Sequence, residues 1–154
     1  MNKINELRKG MKKDGIDCLA IVPGPNLYYI TSKKFHLSER PVVFFIEEDN
    51  LTFILPELES QKLSELDVNS LTYSDVTGPQ QAFDFFFKDR NFAKVGIESR
   101  IMRHLELNLI SRNSPEIVDA MYIFADLRTI KSSFEINLVE KAVSIAEKSL
   151  NSVI

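Results

Sequence analysis

The chain has 154 residues, 44% of them hydrophobic and 27% charged, with a formal net charge of −3. That size and balance suit one soluble globular domain with a sizeable core. The mild acidity gives no field for gripping nucleic acid or an anionic membrane, and no stretch approaches the roughly eighteen apolar residues of a membrane span.

The amino terminus, MNKINELRKGMKKDG, lacks the apolar run of a signal peptide, so a cytoplasmic location is expected. Within it Ile4, Leu7 and Met11 share one helix face, and Gly15 is placed to cap that helix. Arg8, Lys9, Lys12 and Lys13 fall toward its carboxyl end, where the helix dipole favours positive charge. CLAIV (18–22) reads as a buried strand. Cys18 heads that run as a small hydrophobe and, being the only cysteine, excludes an internal disulfide. Pro23-Gly24-Pro25 turns the chain into a short helix over Asn26–Thr31, with Pro25 at its first position.

Two strand-like runs follow, Val42–Ile46 and Leu51–Leu55, joined by a short polar turn; this is a hairpin. Glu57–Leu66 reads as helix and Ser70–Val76 as strand. Beyond Gly78-Pro79 a helix runs through AFDFFFKD, with Phe83, Phe86 and Phe87 on its core face. KVGIE (94–98) is a strand, Met102–Ser111 a helix and Glu116–Ala120 a short strand. Strands and helices alternate, which predicts an α/β fold built on a mixed sheet of five or six strands flanked by helices. The hairpin prevents that sheet from being wholly parallel.

The chain closes on a long amphipathic helix. Ser132 and Glu135 have the spacing of a capping box, and Ile136, Val139, Val143, Ala146, Leu150 and Val153 recur along one face. Half-burying five such side chains is worth about 4–7 kcal/mol, comparable with the net stability of a small domain. This stripe needs a partner surface.

The motifs of common catalytic sites are missing. There is no G-x-S-x-G elbow, and the glycines at positions 10, 15, 24, 78 and 96 form no nucleotide-binding loop. His36 and His104 are far apart, with no H-E-x-x-H between them. No catalytic or metal-ligating residue is therefore assigned. One loop, SKKFHLSERP, sets His36 and Arg40 just before a buried strand. Arg40 could fork onto a carboxylate and His36 could share a proton near neutral pH; equally, Glu39 and Arg40 could pair with neighbours as solvated surface.

Taken in order, LRKGMKKDGIDCLAIVPGPNLYYIT, ERPVVFFIEEDNLTFILPELE, KVGIES and LRTIKSSFEINLVEKAVSIAEKSL resemble the amino-terminal domain of the creatinase/prolidase/aminopeptidase P family. NLYYIT and LRTIKSSFEI are the most specific pieces. The resemblance implies a creatinase/prolidase-type domain over 1–131. Residues 132–154 would then be the first helix of an absent catalytic domain of pita-bread fold. That domain would carry two divalent metals (manganese, cobalt or zinc) on two Asp, one His and two Glu. None of those ligands maps onto this chain, so the chain alone is expected to bind no cofactor and to be inactive.

The resemblance further implies a homodimer and a substrate pocket for proline-containing peptides, partly enclosed by this domain. Arg40 matches an arginine that anchors a substrate carboxylate in creatinase-like relatives, and His36 lies in the same loop. Many relatives have a glycine and an aromatic after the threonine of this region. Here Thr31-Ser32-Lys33-Lys34-Phe35 stands instead, so the loop is altered. Two alternatives keep the fold: a standalone, chaperone-like peptide- or protein-binding module, or the amino-terminal domain of a creatinase-like amidinohydrolase.

Overall fold

Alternation of apolar residues along the strands sets the architecture. The computed structural model describes residues 3–113 and 116–152. Within them six strands form one sheet: β1 (Cys18–Ile21), β2 (Val43–Glu47), β3 (Leu51–Pro56), β4 (Asn69–Tyr73), β5 (Lys94–Ile97) and β6 (Glu116–Asp119). Their order is β4-β3-β2-β1-β5-β6, and β2 alone runs antiparallel to its neighbours. Leu19 and Ile21 point to one face of β1 while Cys18 and Ala20 point to the other, so both faces carry a core.

The first face is covered by α1 (Lys3–Asp14), α2 (Pro25–Thr31) and α5 (Met121–Thr129), through Leu7, Met11, Leu27, Ile123, Phe124 and Leu127. The opposite face is covered by α3 (Gln80–Phe87) and α4 (His104–Ser111). There Phe45 of β2 stacks on Phe86 at 4.1 Å and meets Phe87 edge-on at 5.8 Å. Aromatic pairs of this geometry add about 0.5–1.5 kcal/mol beyond their buried area. The mixed α/β sheet expected from the sequence is therefore present, with helices on both faces.

Several local expectations hold and others shift. Gly15 takes φ +63° past the end of α1, the left-handed conformation a helix stop requires. Gly10 lets α1 approach α5 closely: a Cβ there would lie 2.8 Å from Ile123 Cγ2. Cys18 is fully buried and unpaired, and burial followed by the nearby Glu47 charge raises its thiol pKa well above the ordinary value.

The segment read as a helix from Glu57 to Leu66 is a 3-10 helix over Glu57–Leu63, and β4 ends at Tyr73 rather than Val76. The helix expected from Met102 begins at His104. Helix α5 had no counterpart in the sequence reading, because it follows β6 with no turn residue between, and Asp119, which accepts the Met121 N–H at 3.1 Å, belongs to the strand.

The last helix, α6 (Ser133–Asn151), begins with the expected capping box: Ser132 Oγ accepts from the Glu135 N–H at 3.3 Å, and Glu135 accepts from the Ser132 N–H at 2.8 Å. None of its described residues is buried. Val153, counted with the apolar stripe, lies outside the described residues. Among the described residues no helix is long and apolar enough to cross a membrane.

Candidate functional site

Because β2 is the only antiparallel strand, β1, β3, β4, β5 and β6 all end at the same edge of the sheet, where β2 begins. Open sheets of this kind present ligand sites outside the carboxyl ends of their strands. The loop from Ser32 to Val42 lies at this edge, between α2 and β2.

Its path is fixed at several points. Ser32 adopts φ +57° and caps α2 by donating its N–H to the Tyr28 carbonyl at 2.8 Å. It thus takes the left-handed position that a glycine would fill without strain. Phe35 is buried and packs on Phe53 with ring centroids 5.4 Å apart. The altered TSKKF segment therefore keeps a core anchor. Further on, Arg103 Nη1 donates to the Ser38 carbonyl at 2.6 Å, and the Tyr73 hydroxyl donates to the Pro41 carbonyl at 2.7 Å. Arg103 is itself held by the fully buried Glu106, with Nε bonds of 3.0 and 3.1 Å to its two oxygens.

Arg40 stands on this pinned backbone. Its Nε and Nη2 each donate at 2.7 Å to the two carboxylate oxygens of Asp75, and Nη1 lies 3.1 Å from Glu39 Oε1. The side-chain hydrogen bonds to Asp75 raise the guanidinium pKa and hold the Asp75 carboxyl below its ordinary value. Beside the fork lies a cleft of about 270 Å³ whose walls include Pro41, Tyr73, Pro79 and Leu105. Burial, the first cause, raises the pKa of the Tyr73 phenol, which stays a neutral hydrogen-bond donor.

His36 is exposed, makes no hydrogen bond or ion pair with any described residue, and does not line this cleft. The structure thus seats Arg40 in a cleft but does not bring His36 to it. Of the two sequence readings of Arg40, the geometry realises the pairing with neighbours: the carboxylates it meets are the chain's own Asp75 and Glu39.

A second polar cluster, unassigned in the sequence, lies at the same sheet edge. Glu98, just past β5, is fully buried and accepts from Asn26 Nδ2 at 2.7 Å; Arg128 Nη1 of α5 donates to Asn26 Oδ1 at 3.2 Å. Glu98 Oε2 has no hydrogen-bond partner among the described residues. Burial, only partly offset by bonds from Asn26 and the Val22 N–H, raises the Glu98 carboxyl to about 7. The signal was present in the sequence. Asn26 belongs to NLYYIT, Glu98 to KVGIES and Arg128 to LRTIKSSFEI, so each of three motif pieces sends one residue to the cluster.

Nearby, Lys3 Nζ donates to the Tyr29 carbonyl at 2.6 Å and lies 3.8 Å from the centre of the Tyr29 ring. Hydrogen bonds from Tyr29 and Ser132 hold the Glu135 carboxyl down at about 2. Among the described residues no group of three or more His, Cys, Asp or Glu side chains is placed to hold a metal ion.

Comparison with known proteins supplies the context of this geometry. The model of the Creatinase/Prolidase N-terminal domain family matches residues 3–130. An uncharacterized peptidase of Staphylococcus epidermidis is 31% identical over 156 residues, covering 97% of this chain and 43% of that protein. A Xaa-Pro dipeptidase of Pyrococcus horikoshii is 29% identical over 160 residues, covering 99% of this chain and 41% of that protein. The crystal structure of the recombinant prolidase from Thermococcus sibiricus superposes with a TM-score of 0.85 at 25% identity, covering 97% of this chain and 42% of that one. The chain thus spans less than half the length of these three proteins. It belongs to the Creatinase/Prolidase N-terminal domain family.

Proposed function

We propose that this chain is the non-catalytic, amino-terminal domain of a Xaa-Pro peptidase, cytoplasmic and dimeric. In this reading residues 1–131 form the domain and residues 132–154 are the first helix of a second, catalytic domain. The observation that carries the reading is α6, which has a complete capping box and an apolar stripe but no buried residue. A second domain of the same polypeptide is the surface that stripe fits. Two further findings support it: the family match stops at residue 130, just before the cap, and the relatives are more than twice as long.

Catalysis then belongs to the second domain, with two divalent ions (manganese, cobalt or zinc) as its Lewis acid. The described residues of this chain do not fit such a centre. The role of this domain is to shape one wall of the pocket that receives a proline-containing peptide, with Arg40 presented to a carboxylate and His36 on the same loop.

The test compares two preparations. The purified 154-residue chain, given glycyl-proline and longer Xaa-Pro peptides with each metal in turn, cleaves none of them. The native gene product, isolated from its source cells, has a mass far above 17.7 kDa, retains metal and cleaves them. Cleavage by the short chain, or a metal-free native product of 17.7 kDa, would overturn the proposal.

A further inference from the structure

The guanidinium of Arg40 already has an occupant. A planar guanidinium binds a carboxylate best through two parallel N–H bonds along one edge. In Arg40 the Nε/Nη2 edge makes that pair of bonds to Asp75, both at 2.7 Å, and Nη1 faces Glu39. Two carboxylates thus serve one cation, and the edge that a ligand would use is taken.

Asp75 is delivered by a small self-bonded turn at the end of β4. Gly78 donates its N–H to the Ser74 carbonyl at 2.9 Å with φ +66°, and the Ser74 N–H donates to Thr77 Oγ1 at 3.1 Å. The Arg40 side is pinned by Arg103 and by Tyr73, which lies on the Asp75 segment itself. The fork therefore joins two segments, 35 residues apart in sequence, that the Tyr73–Pro41 hydrogen bond also holds side by side.

The contrast with the neighbouring arginine is informative. Arg103 pairs with Glu106, which is sealed from solvent, whereas the Asp75 side chain is 65% exposed. A solvent-exposed pair is weak and exchanges with other ions. Apolar walls from Pro41, Pro79 and Leu105 stand beside it.

We propose that Asp75 is the resident occupant of a carboxylate site on Arg40, and that an incoming carboxylate with an apolar neighbour, such as a peptide carboxyl terminus, enters by displacing it. This rests on the reading of Arg40 as a substrate contact and adds its regulation. Asp75 sets the threshold for entry and favours ligands whose apolar part also fills the cleft. Because an exposed pair is weak, removing the internal competitor tightens binding by only about two- to six-fold.

The test is an NMR titration of the isotopically labelled 154-residue chain with glycyl-proline, using glycyl-prolinamide as the probe without a carboxylate. Wild type, Asp75→Asn and Arg40→Gln are compared after their amide spectra confirm the native fold. The expected result is that glycyl-proline shifts the amides of residues 38–40 and 73–78, with a Kd about two- to six-fold lower in Asp75→Asn. Arg40→Gln abolishes the shifts, and the prolinamide produces none. Equal affinities for wild type and Asp75→Asn, with loss in Arg40→Gln, would overturn the role of Asp75 while leaving Arg40 as a contact. No carboxylate-dependent shift in folded Asp75→Asn would overturn both.

Discussion

Helices α3 and α6 carry the same kind of sequence and meet opposite fates. In α3, Phe83, Phe86 and Phe87 recur on one face and are buried against the sheet. In α6, Val143 and Leu150 recur just as regularly and are 50% and 64% exposed. Periodicity tells that a stripe wants a partner; it does not tell where the partner is. The body of the chain provides one for α3. Helix α6 is held at its start by the Ser132–Glu135 box and the Tyr29–Glu135 hydrogen bond and beyond that by its own backbone bonds, without the packing of an amphipathic face that supplies most helical stability.

The largest effect that could break this contrast is truncation of each stripe in turn. Phe86→Ala removes a ring that stacks on Phe45 in the sealed layer and is expected to cost about 3–5 kcal/mol in urea unfolding. Val143→Ala and Leu150→Ala together should change the same measurement by less than about 0.5 kcal/mol. A matching cost would mean that α6 is packed on the body of the chain.

Next in size is a pH effect confined to the body. The Glu98 carboxyl sits near 7 in the folded chain, against an ordinary value of 4.5. The folded state therefore binds this proton more tightly than the unfolded state does. Its contribution is complete below pH 4.5 and is lost as the pH rises to 7, a change of about 3 kcal/mol. Glu98→Gln should remove that slope and leave the variant more stable than wild type above pH 7. Unfolding curves at pH 5, 6, 7 and 8 decide it: identical slopes for the two proteins would refute the account.

The smallest effect belongs to α6. Ser132→Ala deletes the cap and should weaken the helix by about 1 kcal/mol. Amide exchange of residues 136–150 should quicken by roughly five-fold by that measure, with global unfolding unchanged. A fall in global stability would show that the helix folds as one unit with the body.

Much of this molecule was legible in its sequence, because the informative signals were local. The capping box, Pro25 at the head of α2, Gly15 past α1 and the β2–β3 hairpin are each decided by residues a few positions apart. Helix α5 was missed for the same reason. Ala120 leads straight from β6 into Met121 with no glycine or proline to mark the change, and Asp119, whose side chain accepts the Met121 N–H, stands at the end of the strand itself. The shortened 3-10 segment after Pro56 likewise offered apolar residues without a clean helical period.

The site was only half legible. Arg40 stood out, but its partner Asp75 is 35 residues away and on another strand's end, a pairing that only the parallel β3–β4 register creates. The Asn26–Glu98–Arg128 cluster spans 102 residues and depends on β1, β5 and α5 converging at one edge. Each residue belonged to a recognisable motif piece, yet nothing in any single piece announced a buried carboxyl.

The measurement that tests the central claim most directly is hydrogen exchange along α6 in two settings, the 154-residue chain alone and the native gene product from its source cells. The account predicts fast exchange over residues 136–150 in the short chain. It predicts strong protection of the same amides in the native product, as a second domain covers the stripe. Equally fast exchange in both would contradict it.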